Sequence, residues 1–157
     1  MERRIIKFRG KNIHTGEWLY GDYHREGKTH YIAKPRDYLR EYAPIEFIVD
    51  AKTIGQFTGL LDRNGKEIYE GDIIRIGCHA WLDWKELDSV NAEVIFEEYM
   101  FDARWRNPDA GQPIPFHPDD DPDYESEYIC EMLANLPNTI EVIGNRFDNP
   151  SLISDKQ

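Results

Sequence analysis

No run of about eighteen consecutive apolar residues occurs in this chain, so its hydropathy offers no membrane-spanning helix. Cysteine is scarce as well. Cys78 and Cys130 stand far apart in no metal-ligand spacing. The N-terminal MERRIIKFRGK is charged from its second residue and has no long apolar core, so it does not read as a signal peptide. Without an export signal the two thiols are expected to be reduced, in a cytoplasmic protein.

Catalytic signatures are missing too. His14, His24, His30, His79 and His117 form no H-x-x-x-H or H-E-x-x-H arrangement. Ser126 and Ser151 lie in no G-x-S-x-G elbow. Glycines 55, 59, 65 and 71 do not match a phosphate-binding loop and follow turn logic. Cys78 and His79 are adjacent, and neighbours on a strand point to opposite faces, so adjacency makes no thiolate–imidazole dyad. Asp119, Asp121 and Asp123 have the spacing that opens a calcium-binding EF-hand loop. Tyr124 then stands where Gly is needed and Cys130 where a bidentate Glu is needed. The segment reads instead as an acidic loop leading into a helix. These absences favour a non-enzyme. No catalytic residue, cofactor or metal ligand is assigned.

What is present is a foldable, acidic chain. Its 157 residues are 40% hydrophobic and 13% aromatic, enough to bury a core in one domain or two small ones sharing a core. The formal charge of −11 is unevenly spread. Residues 1–50 carry ten Lys/Arg against eight Asp/Glu, residues 51–100 five against ten, and residues 101–157 four against twelve. Non-specific nucleic-acid binding depends on neutralising phosphates with Lys and Arg, which the overall balance opposes. Only the N-terminal third, with Arg3, Arg4, Lys7, Arg9 and Lys11, offers a local basic patch. Trp18, Trp81, Trp84 and Trp105 have the character of base-stacking groups, but core packing is the commoner fate of Trp beside Ile and Leu.

Along the chain, alternation predicts a strand over Arg4–Gly10, a turn through His14-Thr15-Gly16, a returning strand over Glu17–Tyr23, a turn at Gly27-Lys28 and a strand over Thr29–Ala33. Pro35–Glu41 reads equally as a short helix or a loop, and Ile45–Val49 as a strand. The central stretch TIGQFTGLLDRNGKEIYEGDIIRI, Thr53 to Ile76, holds strand-like pieces at Thr53–Phe57 and Asp72–Ile76. Between them lie the turn Asp62–Gly65 and the Gly71-Asp72 step. Asp62, Lys66, Glu67, Glu70 and Asp72 read as turn formers and solvated charges ahead of a polar contact surface. Gly77–Val90 is irregular, while Ala92–Phe96 and Met100–Trp105 form a second hairpin. Asn107–Pro122 holds five of the nine prolines and reads as a long exposed loop. Tyr128, Met132 and Leu136 recur at helical spacing, so residues 124–136 read as the one helix, capped by Asp123. Thr139–Ile143 is the final strand and Ser151–Gln157 a frayed tail.

Three pieces, IIKFRGK…TGEWLYG, the central TIGQFTGLLDRNGKEIYEGDIIRI and IEVIGNRFDNP, with the hairpin AEVIF…MFDARW between the last two, resemble the YopX-like family of phage and prophage proteins. The resemblance implies an SH3-like β-barrel in the C-terminal part with a smaller β-rich N-terminal part; with the helix read from its spacing, the chain is expected to be mainly β with one helix. The expected division is a small β-rich N-terminal subdomain, residues 1–52, and an SH3-like β-barrel domain, residues 53–150. The barrel domain carries a proline- and aspartate-rich insertion at 107–123 and the helix at 124–136, and residues 151–157 are the tail. The family supplies no reaction.

The function expected from this reading is a non-catalytic protein-interaction module of phage or prophage origin, with an unidentified protein partner. The alternative is a nucleic-acid-associated phage accessory protein. A homo-oligomer is expected as well. Trp18, Tyr20, Tyr23 and Tyr31 exceed what a small N-terminal sheet buries alone, and a meander leaves strand edges to cover.

Overall fold

The computed structural model describes residues 5–34, 45–77, 89–97, 100–105 and 140–153. The described chain is mainly β, in two antiparallel sheets. Its strands are β1 (Phe8–Lys11), β2 (Trp18–Glu26), β3 (Thr29–Ala33), β4 (Gly55–Leu61), β5 (Glu67–Tyr69), β6 (Asp72–Gly77), β7 (Ser89–Glu97), β8 (Met100–Trp105) and β9 (Ile140–Asn145). One sheet has the order β3-β2-β1-β4-β5 and the other β8-β7-β6-β9. Among the described residues the only helices are three-residue 3-10 turns, and no barrel closes. The expected insertion at 107–123 and helix at 124–136 lie outside the described residues, as do Pro35–Glu41 and most of Gly77–Val90.

The chain packs as two compact units, Met1–Gly59 and Leu60–Gln157, with the division falling inside β4. In the first unit β1 is paired with β2 through Phe8–Gly21 to Lys11–Trp18, and with β4 through Phe8–Gln56 and Arg9–Gly55. Ile32, Ala33 and Val49 are buried at 0%, 3% and 3% exposure, which gives this small sheet an apolar centre. Asn12, also buried, organises the β1–β2 turn. Its Oδ1 accepts from the backbone N–H of His14 and Thr15, and its Nδ2 donates to the Glu46 carbonyl. A buried amide satisfied on both sides locks a turn that an unsatisfied one would weaken by about 1–3 kcal/mol.

In the second unit β6 is central. It pairs with β7 from Ile73–Glu93 to Gly77–Ser89, and with β9 from Asp72–Asn145 to Ile76–Ile140. The register shifts between Ile73 and Ile74, because Ile143 is an extra residue in β9. Ile74 and Ile76 alternate with exposed Arg75, so one face of β6 joins Ile68, Ala92, Val94, Ala103, Ile140 and Val142 in a single core, with Leu60 packed against it. Each buried Ile there contributes about 1.5–3 kcal/mol. Gly71 enters β6 at φ 80°, a left-handed turn; its N–H donates to the Val94 carbonyl and its carbonyl accepts from Arg146 N.

Three strand expectations and one for the tail need correction. Ile45–Val49 is not a strand. Ile45–Phe47 is a 3-10 turn, and only Ile48 and Val49 bridge, to Tyr31 and Asn12. The turn is favoured because the Ile48 N–H finds the Ile45 carbonyl three residues back. The first strand begins at Phe8 rather than Arg4, and Ile5 and Ile6 are exposed at 66% and 59%. Alternation of apolar and charged residues therefore does not mark burial there. The Thr53–Phe57 strand starts at Gly55, because Asp50 caps a 3-10 turn over Ala51–Thr53 through Lys52 N. The frayed tail is ordered at its start. Pro150–Leu152 form a 3-10 turn whose Leu152 carbonyl accepts from Asn91 Nδ2.

Candidate interaction surface

Aromatic residues and the hairpin chemistry of the first unit converge on the ribbon formed by β2 and β3. These strands pair from Asp22–Ala33 to Glu26–Thr29, with Gly27 and Lys28 as a two-residue loop and Gly27 at φ 59°. Gly at the first loop position suits the tight hairpin turns whose twist matches the strands. At the other end of the ribbon, Gly21 is where β2 leaves β1 and meets β3. A Cβ on Gly21 would lie 2.3 Å from the Ala33 carbonyl oxygen, so only glycine permits this approach.

From Asp22 to Glu26 every residue of β2 is exposed, on both faces. On one face Tyr23 is sandwiched between Phe8, with ring centroids at 5.5 Å, and His30, at 5.8 Å and stacked. The Tyr23 hydroxyl and His30 Nδ1 share a hydrogen bond of 2.8 Å. On the other face His24 lies against Tyr31 at 6.2 Å. Arg25 folds toward the loop, and its Nε donates to the Gly27 carbonyl at 2.8 Å. Tyr20 and Tyr23 nevertheless remain 47% and 36% exposed. Such half-covered, conformationally restrained tyrosines combine apolar area with a polar tip, the character that protein interfaces favour.

The basic residues of β1 form a second arrangement. Lys7, Arg9 and Lys11 alternate onto one face. Lys7 Nζ lies 5.1 Å from the Phe57 ring centroid, the Arg9 guanidinium 4.7 Å from that of Trp18, and Lys11 Nζ 5.6 Å from Trp18. Arg9 is only 5% exposed and Trp18 is half-buried, so the middle of this face is not presented to solvent.

The acids of the central stretch are structural. Asp62 is buried; its Oδ1 accepts from the N–H of Asn64 and Lys66, and its Oδ2 from Val142 N. Burial pushes its carboxyl upward. The backbone donors of Val142, Lys66 and Asn64, with the Lys66 charge, outweigh that and hold it below the ordinary aspartate range. Asp72, 1% exposed, accepts from Tyr69 N at 2.8 Å, and Glu67 accepts from the Tyr69 hydroxyl. The turn-forming reading of Asp62 and Asp72 therefore matches what their side chains touch, but neither is a solvated charge, because backbone donors hold both in the interior.

His14 lies exposed in the β1–β2 turn. Cys78, His79, Trp81, Trp84, His117, Asp119, Asp121, Asp123, Ser126 and Cys130 fall outside the described residues. Among the described residues no three His, Cys, Asp or Glu side chains are grouped to hold a metal ion. The Tyr23–His30 contact was not anticipated from the sequence, although the Gly27-Lys28 turn and strict alternation along both strands are the signals that bring the two to one face. No described helix is long and apolar enough to cross a membrane.

A family model described as YopX protein matches residues 7–154. Among solved structures, protein EF1440 from Enterococcus faecalis is similar, at 20% identity and a TM-score of 0.50, over 97% of this chain and 100% of that one. At that identity the likeness concerns the fold. No curated protein matches.

Proposed function

The chain belongs to the YopX protein family, and we propose that it is a non-catalytic protein-interaction module of phage or prophage origin, working in the cytoplasm. The observation that carries this reading is the Asp22–Glu26 segment of β2, exposed on both faces, with Tyr23 at 36% exposure and Tyr20, just before it in the same strand, at 47%. Exposed aromatics on a hydrogen-bonded frame bind at low entropic cost, because the ribbon and the Tyr23–His30 bond restrain them beforehand. In this reading residues 1–52 are the presenting subdomain. Residues 53–150 are an SH3-like barrel domain with the 107–123 insertion and the 124–136 helix, followed by the tail at 151–157. The antiparallel sheet around β6 and the left-handed Gly71 turn support that architecture. Affinity capture from lysogenic cells with the wild-type chain and a Tyr20→Ala/Tyr23→Ala variant as baits tests the function. A protein retained by the wild type and lost by the variant is expected; equal retention by both removes the ribbon from the account.

A second reading, a nucleic-acid-associated accessory protein, is favoured by the alternation of Lys7, Arg9 and Lys11 beside Phe57 and Trp18. The burial of Arg9 and the formal charge of −11 rank it second. Failure to bind DNA or RNA at low ionic strength sinks it.

A further inference from the structure

We infer that Asn64-Gly65 is a self-modification site, in which the Gly65 amide nitrogen attacks the Asn64 side-chain amide and the turn held by Asp62 gates the attack. The product is aspartate or isoaspartate at position 64, and it loosens the fastening of this turn to β9.

The chemistry needs only the chain and water. The Gly65 nitrogen loses its proton and forms a bond to Asn64 Cγ. The Cγ–Nδ2 bond breaks, and the side-chain nitrogen leaves as ammonia, carrying a proton. Water then opens the cyclic succinimide. Opening at Cγ gives aspartate; opening at the Asn64 main-chain carbonyl carbon gives isoaspartate. Glycine favours the attack because it has no Cβ to shield its nitrogen. Of the eight asparagines in the chain, only Asn64 is followed by glycine. Both residues are exposed, and nothing lies within 4 Å of where a Gly65 Cβ would stand, so water has access to the pair.

The closed turn opposes the attack. Gly65 N–H donates to the Asp62 carbonyl at 2.9 Å. On either side of it, Asn64 N and Lys66 N donate to Asp62 Oδ1 at 2.8 and 2.9 Å. While these bonds hold, the Gly65 nitrogen keeps its proton and stays turned toward Asp62. Reaction therefore passes through an opened turn, and Asp62 sets how often the turn opens.

The product damages what Asp62 holds together. Isoaspartate inserts an extra main-chain carbon between the nitrogens of residues 64 and 65, both of which donate to Asp62. Either product also adds a carboxylate beside that of Asp62. The same aspartate accepts from Val142 N through Oδ2, and Arg63 N donates to the Ile140 carbonyl, so distortion of the turn reaches β9.

Peptide mass spectrometry with an isoaspartyl methyltransferase assay, on the full chain incubated at mildly alkaline pH, tests the inference. The folded wild type is expected to gain acid and isoaspartate at residue 64 ahead of every other asparagine. Asp62→Ala is expected to speed this about tenfold, as the loss of one or two hydrogen bonds shifts an opening equilibrium. Gly71→Val, which strains the same unit away from the turn, is expected to leave the rate near that of the wild type. An Asn64 that stays intact, or that is modified after another asparagine, overturns the inference. An unchanged rate in Asp62→Ala overturns it too, as does an equal acceleration in Gly71→Val, which would make unfolding of the whole unit the gate. If Asp62→Ala does not fold, the wild type in urea below its unfolding transition decides. Modification and Gly65 amide exchange should then rise together, and a modification rate indifferent to urea overturns the gating. In the purified isoaspartate form the Val142 amide is expected to lose exchange protection; retained protection overturns the coupling to β9.

Discussion

Val142 donates its backbone N–H to Oδ2 of Asp62 at 2.9 Å, across 80 positions of sequence. The other Asp62 oxygen holds the Asn64 and Lys66 N–H groups of its own turn. One carboxylate therefore closes the Asp62–Lys66 turn and fastens it to β9.

Asp62→Ala should leave three backbone N–H groups without their acceptor and lower stability by about 1–3 kcal/mol. Urea denaturation measures it, and an unchanged midpoint would mean that water replaces the carboxylate without loss.

The same residue sets an acid limb. Its folded pKa is lowered from 3.8, so its contribution is fully present above that value and is lost as pH falls through the folded value. Asp62→Asn should therefore flatten stability against pH below about 4 and leave the slope near neutrality unchanged. An identical acid limb in both proteins would assign acid sensitivity to other groups.

Arg63, next to Asp62, pairs with Glu141 at 2.6 Å, but the arginine side chain is 48% exposed. Arg63→Ala is expected to cost less than about 1 kcal/mol, since exposed ion pairs gain little and salt screens them. A loss comparable with that of Asp62→Ala would show that the pair acts as part of the turn.

Gly71→Val should destabilise by about 1–3 kcal/mol, because φ 80° is strained for a β-branched residue. The Cβ position itself is tolerable, with Phe147 Cε2 as its nearest neighbour at 3.4 Å, so the cost is conformational. Gly71→Asn, which accepts this conformation better, should recover part of the lost melting temperature.

Gly21→Ala carries a different cost. Its Cβ would overlap the Ala33 carbonyl, so β2 and β3 must separate at that point, at about 1–3 kcal/mol. Weakened amide-exchange protection confined to Asp22–Glu26 and Thr29–Ala33 is expected. Uniform loss across both units would mean that the ribbon does not open separately.

How much of this was legible follows from the range of the forces. The Gly27-Lys28 hairpin, the Asp62–Gly65 turn, the β7–β8 hairpin and the left-handed Gly71 are visible in sequence because they depend on residues within a few positions of one another. Periodicity failed at Ile45–Val49 and at Ile5-Ile6, where apolar residues follow a strand pattern but a local 3-10 bond or an uncovered surface decides the outcome. No periodicity announces that β2 exchanges β1 for β3 at Gly21, that Tyr23 reaches His30, or that Asp62 waits for Val142. The sequence by itself determined a mainly β chain, its turns and its family. Tertiary structure decided where β2 exchanges β1 for β3 and which carboxylate is buried, because both depend on partners that only folding brings within hydrogen-bond reach.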